Sequence, residues 1–495
     1  IRCEEMLSRI EALHEDGYYE KAPDVVSYNS VINAYAHGRS IKGSRIGHAK
    51  RLIKLMEEKG ITPNTITYNT LLRCILKEVG EKQWKQSSKK NVREAEDILI
   101  NLEESGLANT ISYNTLISTI AKSKIDNAAE RAESHLQRMM EVYATTQNDK
   151  IQPDATSFNS VIHAYANTSS KVAGASKRAR RAEELLQQME ELHQSGENDN
   201  VKPDVVSYTA VVNAYARAAA QDKGCATRAM EILDKMVLLH KAGDTDVKPN
   251  KRTYTAVING FARIGEADAA DDILLEMKEC YEMGDKSLKP DTVCYSSVID
   301  GYSRKGGEDA AYRAEELLRE MESLYNNGEY DVKPNTRTYR SVITALGKSK
   351  RPRAGEKAEM ILDEMQEYSS LSGSKDLAPN TIVYNAVIDA YARSKSVSKA
   401  YRAELLLEKM LEESEKGNVS IRPDTISFNS VINAAARSTY GDSIVLKEAY
   451  MIGLNAFKTV HSLDYCKPSS ITYVSFLKLL GNLVEAGSCI YNRIE

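Results

Sequence analysis

A small hydrogen-bonding side chain follows an aromatic residue at regular intervals along this sequence. It is Asn29 in PDVVSYNSVINAYA, residues 23–36, and Thr209 in PDVVSYTAVVNAYA, residues 203–216. Short polar side chains are poor choices inside a helix, because they compete with the backbone for its hydrogen bonds. A row of them on successive helices therefore predicts contacts to repeated small polar targets.

Eleven copies of this phrase align on their aromatic residue, at intervals of 40 to 50 residues. We number each repeat from its opening residue, three places before the aromatic, so that the aromatic is position 4 and the variable polar residue is position 5. The openings are Val25, Thr65, Thr110, Ala155, Val205, Lys251, Thr292, Thr336, Thr381, Thr425 and Ser470. A pattern recurring with this period predicts a solenoid, in which each repeat buries its apolar face against its neighbours.

Each repeat has the pattern of two helices. Apolar residues at i, i+3, i+4 and i+7 from Tyr28 predict a first helix over about residues 25–36. The same spacing in RRAEELLQQMEEL, residues 180–192, predicts the second helix, and the polar stretch at 193–202 predicts a surface loop. A proline two residues before most openings ends the incoming helix, and the Asp, Asn or Ser after it can cap the next one. The fold predicted from these patterns is all-α.

Positions 2, 5, 9 and 13 lie together on the side of the first helix that faces away from the core. Position 9 is polar in all ten complete repeats, and position 13 is a cation in eight of them: Lys77, Lys122, Arg217, Arg263, Arg304, Lys348, Arg393 and Arg437. Cations beside small polar groups predict a phosphate chain that runs along this face. The alternative is that they only complement the helix dipole at its C-terminal end.

The composition excludes several classes of function. Lys and Arg number 66 and Asp and Glu 70, so the formal net charge is −4 and any nucleic-acid partner must be held by a local stripe. Seven cysteines form no CxxC pair, which favours reduced structural thiols inside the cell and neither a metal site nor a cofactor. No apolar run is long enough to cross a bilayer, so no membrane insertion is expected.

No arrangement of residues predicts catalysis. The sequence lacks an HxE motif combined with CxxC, as a zinc deaminase needs, and no segment outside the repeats could house a catalytic fold. Asp300 and Asp389 are single carboxylates on separate repeats, which keeps them from forming a metal pair. The protein is therefore predicted not to be an enzyme.

PDVVSYNSVINAYA followed by AEELLQQME resembles the pentatricopeptide repeat, and similar copies cover nearly the whole chain. The Trp-Leu-Gly-Tyr pattern of the related tetratricopeptide repeat is missing. The resemblance implies a right-handed α-solenoid superhelix of antiparallel helix pairs, although these repeats are longer than is usual in the family. We divide the chain into a partial N-terminal repeat at residues 1–24, ten complete repeats over 25–469 and an incomplete capping repeat at 470–495.

In this family each repeat reads one RNA base through position 5 and the closing residue, which directly precedes the next opening. The resemblance implies ten such pairs: Asn29 with Asn64, Asn69 with Asn109, Asn114 with Asp154, Asn159 with Asp204, Thr209 with Asn250, Thr255 with Asp291, Ser296 with Asn335, Arg340 with Asn380, Asn385 with Asp424, and Asn429 with Ser469. It also implies that position 2 sandwiches the base, through Val26, Ile66, Ile111, Val206, Val293, Ile382 and Ile426. The cations of position 13 are the expected phosphate contacts.

The family's base preferences turn these pairs into an expected target, 5′-CCUUAGA?UC-3′. The question mark is the repeat with Arg340, which also carries Arg337 at position 2. Two long cations there can grip a phosphate or stack on any base, or instead bridge to a neighbouring acidic helix.

Two functions remain open. The first is sequence-specific binding of single-stranded RNA, about one base per repeat, which stabilises an organellar transcript or acts in its processing or translation. The alternative is a structural subunit that clamps RNA or protein in an organellar ribosome or another large assembly, which the acidic balance and the long insertions favour. The location, a mitochondrion or a chloroplast, is implied by the resemblance alone.

Overall fold

In a computed structural model the chain forms α-helices joined by turns. The structure describes residues 2–18, 21–38, 43–81, 85–123, 125–167, 174–349, 351, 353–372, 377–439 and 443–485. These residues include 22 α-helices, and none of them lies in a β-strand. The predicted all-α fold is confirmed.

Each of the eleven predicted openings is the first residue of an α-helix. These first helices are α2 Val25–His37, α4 Thr65–Glu81, α6 Thr110–Lys122, α8 Ala155–Asn167, α10 Val205–Ala218, α12 Lys251–Ile264, α14 Thr292–Lys305, α16 Thr336–Lys348, α18 Thr381–Arg393, α20 Thr425–Ala436 and α22 Ser470–Glu485. The agreement has a local cause, because a proline and a capping side chain precede most of these residues and stop the incoming helix from continuing.

The second helices alternate with the first. They are α1 Arg2–Glu15, α3 Arg45–Glu58, α5 Lys85–Glu104, α7 Ala128–Thr146, α9 Ala175–Gln194, α11 Gly224–Lys241, α13 Ala267–Glu282, α15 Glu308–Asn326, α17 Ala354–Ser372, α19 Lys399–Glu415 and α21 Ser443–Ser462. Their buried residues keep the three-four spacing, as in Ala182, Leu185, Leu186 and Met189 of α9.

The helices form two compact units, Ile1–Pro249 and Asn250–Glu495. Within each unit the first helices of successive repeats pack side by side. Each second helix from α3 to α9 and from α13 to α21 packs against the first helix of its own repeat and against that of the following repeat. This arrangement is an all-α solenoid, in which a repeat completes its core only with its neighbours. The handedness of the superhelix and the assignment of residues 470–495 as a cap stay predictions.

The aromatic residue at position 4 belongs to the core. Nine of the eleven are buried; Tyr68 is half-buried, and Tyr473 in the last repeat is exposed. Six of the seven buried tyrosines direct their hydroxyl groups to carboxylates on second helices: Tyr208 Oη donates to Glu190 Oε1 at 2.5 Å, and Tyr295 Oη to Glu320 Oε1 at 2.7 Å, whereas Tyr384 Oη accepts from Gln366 Nε2 at 2.8 Å. These contacts satisfy the polar end of a side chain whose ring fills the core.

The stretch at residues 193–202 corrects the expectation of a surface loop. Its first two residues complete α9, and Asp199–Val201 forms a 3-10 turn whose Val201 is buried. Equivalent turns at Asp149–Ile151, Thr245–Val247, Lys286–Leu288, Tyr330–Val332 and Val419–Ile421 also bury their last residue. An aliphatic side chain two residues before the proline thus anchors each connection, although the residues around it are polar.

Candidate nucleic-acid interface

The first helix of each of the ten complete repeats begins on a capping side chain, which belongs to the residue directly before the opening. Asp204 is representative: its Oδ1 accepts hydrogen bonds from the backbone N–H groups of Val206 at 3.0 Å and Ser207 at 2.9 Å. The bonds satisfy donors that a helix start otherwise leaves unpaired. They also fix one side-chain oxygen, so only the second carboxylate oxygen, or the NH2 group of an Asn, is available to another partner.

Position 5 contacts this cap wherever it is Asn. The side-chain amide donates to the closing residue from Asn29 to Asn64 at 3.3 Å, Asn69 to Asn109 at 3.1 Å, Asn114 to Asp154 at 2.9 Å, Asn159 to Asp204 at 3.4 Å, Asn385 to Asp424 at 3.0 Å, and Asn429 to Ser469 at 3.4 Å. The structure therefore brings together six of the ten pairs that sequence reasoning proposed. The residues of each pair are 35 to 45 positions apart in the chain.

A serine on the following helix holds the Asn in several pairs. Ser112 Oγ donates to Asn69 Oδ1 at 2.7 Å, and Ser157 Oγ donates to Asn114 Oδ1 at 2.6 Å. Because the amide oxygen accepts from serine and the amide nitrogen donates to the cap, the orientation of the side chain is defined by its partners. Such pairs are preorganised, with few rotamers left to restrict when a ligand binds.

The position 5 residues that carry a hydroxyl group behave differently. Thr255 Oγ1 donates to the carbonyl of Lys251 at 2.6 Å, and Ser296 Oγ lies 2.8 Å from Thr338 Oγ1. Both are too short to reach the closing residue as Asn does. Arg340 is half-buried, and no hydrogen bond to Asn380 is found for it in the described part of the chain. Thr209 and Asn250 belong to different compact units.

The aliphatic residues of position 2 are exposed. Val26, Ile66, Ile111, Val206, Val293, Ile382 and Ile426 each expose 45–64% of their surface. A single exposed valine or isoleucine is ordinary on a protein surface. Seven of them recur at position 2, three residues before the polar residue of position 5. Together they form a repeated apolar surface that the fold itself does not bury.

The cations of position 13 fall into two groups. Arg217 Nη1 donates to the carbonyl of Ala166 at 2.9 Å, and Lys348 Nζ donates to that of Ser303 at 2.6 Å. Each thereby closes the C-terminal end of the first helix one repeat earlier, which is the role that the helix-dipole alternative predicted. Burial lowers the pKa of Lys348, and the nearby guanidinium of Arg393 adds to this effect. These two side chains are half-buried and engaged by the protein.

The other six cations of position 13 are exposed: Lys77, Lys122, Arg263, Arg304, Arg393 and Arg437. Arg304 and Arg393 form ion pairs within their own helices, with Asp300 Oδ2 at 3.2 Å and Asp389 Oδ2 at 2.7 Å. Exposed pairs of this kind are weak and exchange readily with another anion. The six side chains therefore stay candidate phosphate contacts.

Sequence reasoning missed one charge at this face. Lys251, the opening residue of the sixth repeat, places Nζ 2.8 Å from Oδ2 of the closing residue Asp291. The signal was present in the alignment, since no other opening is charged. Because periodicity alone gives position 1 no role, the charged residue there was not predicted to belong to the site.

Neither metal nor membrane chemistry is indicated where the structure is described. No three His, Cys, Asp or Glu side chains there are grouped as a metal site requires. Among the same residues, no helix combines the length and apolar character of a membrane span.

Stacked helix pairs with a capped first helix in every repeat define the class of α-solenoid repeat proteins. Comparison with known families matches residues 23–77 to the PPR repeat family, residues 252–281, 293–325 and 382–414 to the PPR repeat, and residues 191–236 to the pentatricopeptide repeat domain. The matches fall in both compact units and in phase with the observed helices. The chain belongs to the pentatricopeptide repeat family. No curated protein matches it.

Several solved structures resemble the chain. The pentatricopeptide repeat protein PPR10 from maize is 20% identical, with 99% of this chain and 66% of that chain covered and a TM-score of 0.42. PPR10 in complex with an 18-nt psaJ RNA element is 19% identical, with 100% and 78% covered and a TM-score of 0.35. An engineered protein is 12% identical, with 94% and 97% covered and a TM-score of 0.34. These TM-scores are low, so the fold assignment depends on the helices themselves and on the repeat matches.

Proposed function

We propose that this protein binds single-stranded RNA, with about one base held by each repeat. The observation that carries the proposal is the set of exposed aliphatic residues at position 2, five of which share a repeat with a hydrogen-bonded pair of position 5 and closing residue. A base has two flat apolar faces and a polar edge. Aliphatic side chains of neighbouring repeats suit the faces, and the pair suits the edge.

The cap supplies a physical reason for base preference. In the third repeat Oδ1 of Asp154 accepts from Asn114 and from the backbone of Ser157, which leaves Oδ2 as a hydrogen-bond acceptor. An acceptor suits the ring N–H of uracil or guanine. In the second repeat Oδ1 of Asn109 is occupied in the same way, and the NH2 group remains as a donor. A donor suits the unprotonated ring nitrogen of cytosine or adenine.

The proposed target is 5′-CCUUAGA?UC-3′. The eighth repeat departs from the others because Arg337 replaces the aliphatic residue and Arg340 the small polar one. Arg337 Nη2 lies 3.5 Å from Asp300 Oδ2, so part of its charge is already balanced. Two guanidinium groups favour a phosphate or a stacked base of any identity over one specific base.

Binding of this kind would protect about ten nucleotides from nucleases or from pairing, and no chemical step by the protein is involved. The proposed target is an organellar transcript, on the strength of family membership alone. Imaging of the endogenous protein in its cells, beside mitochondrial and plastid markers, tests that part of the proposal; a cytosolic or nuclear signal would contradict it.

The test of RNA binding is fluorescence anisotropy with CCUUAGAAUC placed in a short unstructured RNA, beside a base-scrambled RNA, over a range of salt concentrations. We expect tighter binding of the first RNA and a loss of affinity as salt rises, because phosphate contacts release counterions. Equal or undetectable binding of both RNAs would contradict the proposal. A stoichiometric complex that survives high salt would then favour the alternative, a structural subunit of a larger assembly.

A further inference from the structure

The opening residue of a repeat lies beside the segment that ends in the closing residue. Six openings are Thr, and the hydroxyl groups of five of them, Thr65, Thr110, Thr292, Thr381 and Thr425, reach across to this segment. Thr292 Oγ1 donates to the carbonyls of Asp331 at 3.0 Å and Lys333 at 2.8 Å, and Thr381 Oγ1 donates to that of Arg422 at 2.7 Å. A longer side chain at the opening is therefore placed to extend past these carbonyls toward the cap.

Lys251 is such a side chain. Its Nζ lies 2.8 Å from Asp291 Oδ2, the carboxylate oxygen that the helix cap leaves unused. The other oxygen, Oδ1, accepts from the backbone N–H groups of Val293 at 3.0 Å and Cys294 at 3.2 Å. Burial acts to raise the pKa of Asp291, but the hydrogen bond and charge of Lys251, together with the hydrogen bonds from Cys294, outweigh it and the pKa is lowered. The same hydrogen bond raises the pKa of Lys251, so both groups are charged at neutral pH.

We infer that Lys251 is a third base-reading residue of the sixth repeat, and that it reinforces a preference for guanine over adenine. The inference rests on the proposed function. The ion pair presents an acceptor, Asp291 Oδ2, directly beside a donor, Lys251 Nζ. Guanine carries the complement, with a ring N–H next to the O6 acceptor. Adenine carries the reverse, with an unprotonated ring nitrogen next to an amino donor, so it meets both groups with the wrong polarity.

The ammonium group keeps capacity for this contact. It has three N–H donors, and the contact with Asp291 uses one of them. The side chain of Lys251 is 41% exposed and that of Asp291 is 23% exposed, so a base edge can approach both. Thr255 Oγ1 donates to the carbonyl of Lys251 and does not occupy Asp291. No other repeat has a charged opening residue, so the inference applies to one nucleotide, the sixth.

A purely structural ion pair is the competing explanation. Pairs with this exposure contribute little to folding, so removal of Lys251 is expected to leave the fold intact. The substitution Lys251→Thr is also matched to the protein, because six other repeats open with Thr. Unchanged circular dichroism and thermal midpoint confirm folding. If Lys251→Thr does not fold, Lys251→Met removes the charge with nearly the same side-chain length.

The experiment measures the affinity of the full chain for CCUUAGAAUC and for CCUUAAAAUC, which differ at the sixth nucleotide. We expect the wild type to prefer guanine, and Lys251→Thr to lose about tenfold of this preference through weaker binding of the guanine RNA. Lys251→Arg, which keeps a donor, should retain most of it. Lys241→Thr, which removes an exposed charge from the second helix α11, should change neither affinity.

Three results would overturn the inference. An equal loss of affinity for both RNAs would mean that Lys251 attracts phosphate in general. Tighter binding of the guanine RNA by Lys251→Thr would mean that the ion pair masks Asp291. An unchanged ratio would mean that Lys251 is not read at all. In each of these cases the wild type still binds RNA, whereas failure of the wild type to bind either RNA would contradict the proposed function itself.

Discussion

At the scale of single residues, the aliphatic side chains of position 2 are exposed where a soluble helix normally carries polar groups. Their neighbours on the same helix, at positions 3 and 4, are largely buried, so the exposure is particular to position 2. Contact with a flat ligand would remove this apolar surface from water at a gain of about 25 cal/mol per Å². The exposure is therefore consistent with a surface that is completed by RNA.

Replacement of one such residue tests this contact. We expect Ile66→Ala to weaken binding of CCUUAGAAUC about four- to fifteenfold, as the loss of one or two methylene groups from a base contact predicts. Ile66 is exposed, so the thermal midpoint should hardly change. The matched control is Leu238→Ala, because Leu238 in α11 is 66% exposed and lies outside the face of positions 2 and 5. Equal affinities of the two variants would argue against base contacts at position 2.

The residue pairs could be predicted from the resemblance to the pentatricopeptide repeat, which implies the pairing of position 5 with the closing residue; the fixed period then located these residues in every repeat. The six pairs with Asn at position 5 are brought together as that resemblance implies. The contact between Lys251 and Asp291 could not be predicted in this way, since it depends on how far one flexible side chain extends. The roles of Arg217 and Lys348 were left open for the same reason.

At the scale of helices, a carboxylate on a second helix joins three elements at a time. Glu133 of α7 accepts from Tyr165 Oη of α8 at 2.5 Å and from Arg181 Nε of α9 at 2.9 Å. The same combination recurs around Asp271, which accepts from Tyr302 Oη at 2.9 Å and from Arg313 Nε at 2.7 Å. Such groups fix the approach of neighbouring repeats, because a displaced helix would leave a buried polar atom without a partner.

Loss of this carboxylate should destabilise the stack. We expect Glu133→Ala to lower the free energy of unfolding by about 1.5 to 3 kcal/mol, since it leaves the Tyr165 hydroxyl and one face of Arg181 unpaired. Glu133 is 7% exposed. The control, Glu184→Ala, removes a second carboxylate bound to Arg181 that is 54% exposed, and should change stability by about 0.5 kcal/mol or less. Urea unfolding of both variants measures these changes in stability. Equal losses of stability would contradict a special role for Glu133.

The helix starts could be predicted and the connections could not, and the difference is physical. Proline and a capping residue act on the backbone within a few positions, so their effect is visible in a short window of sequence. The burial of Val201 depends on the packing of its turn against α8 and α9, and its polar neighbours concealed it. An aliphatic residue two places before the proline is the signal that could have identified these anchored turns.

At the scale of the whole molecule, the net charge of −4 gives no general attraction for RNA. The carboxylates of the second helices account for much of the acidity, and many are bound to Arg or Lys of an adjacent second helix. These carboxylates are neutralised by the cations bound to them, and salt screens charges that lie more than a Debye length apart. They therefore do not cancel the attraction of the exposed position 13 cations for phosphate. The fold class was predictable at this scale; the division into two compact units was not, since every repeat carries the same helical pattern.

Salt dependence measures how many of these cations contact phosphate. If all six exposed cations of position 13 do so, log K should fall with log salt at a slope of about −4. The double substitution Lys77→Gln and Lys122→Gln should make the slope shallower by about 1.4. The control pair is Lys177→Gln and Lys241→Gln, exposed on the second helices α9 and α11, for which no change is expected. A slope unaffected by the first pair would remove Lys77 and Lys122 from the interface.

The closing residue caps a helix, and if it also reads a base as we propose, the cap restricts how the proposed target sequence can evolve. All ten closing residues are Asn, Asp or Ser, members of the small set that can cap a helix. An exchange of Asp for Asn reverses the hydrogen-bonding sense offered to a base and keeps the cap, whereas Ala at the same place costs about 1 kcal/mol of stability. Helix capping thus limits which residues can stand at the closing position. Within that set, the proposed base preference can change without loss of helix stability.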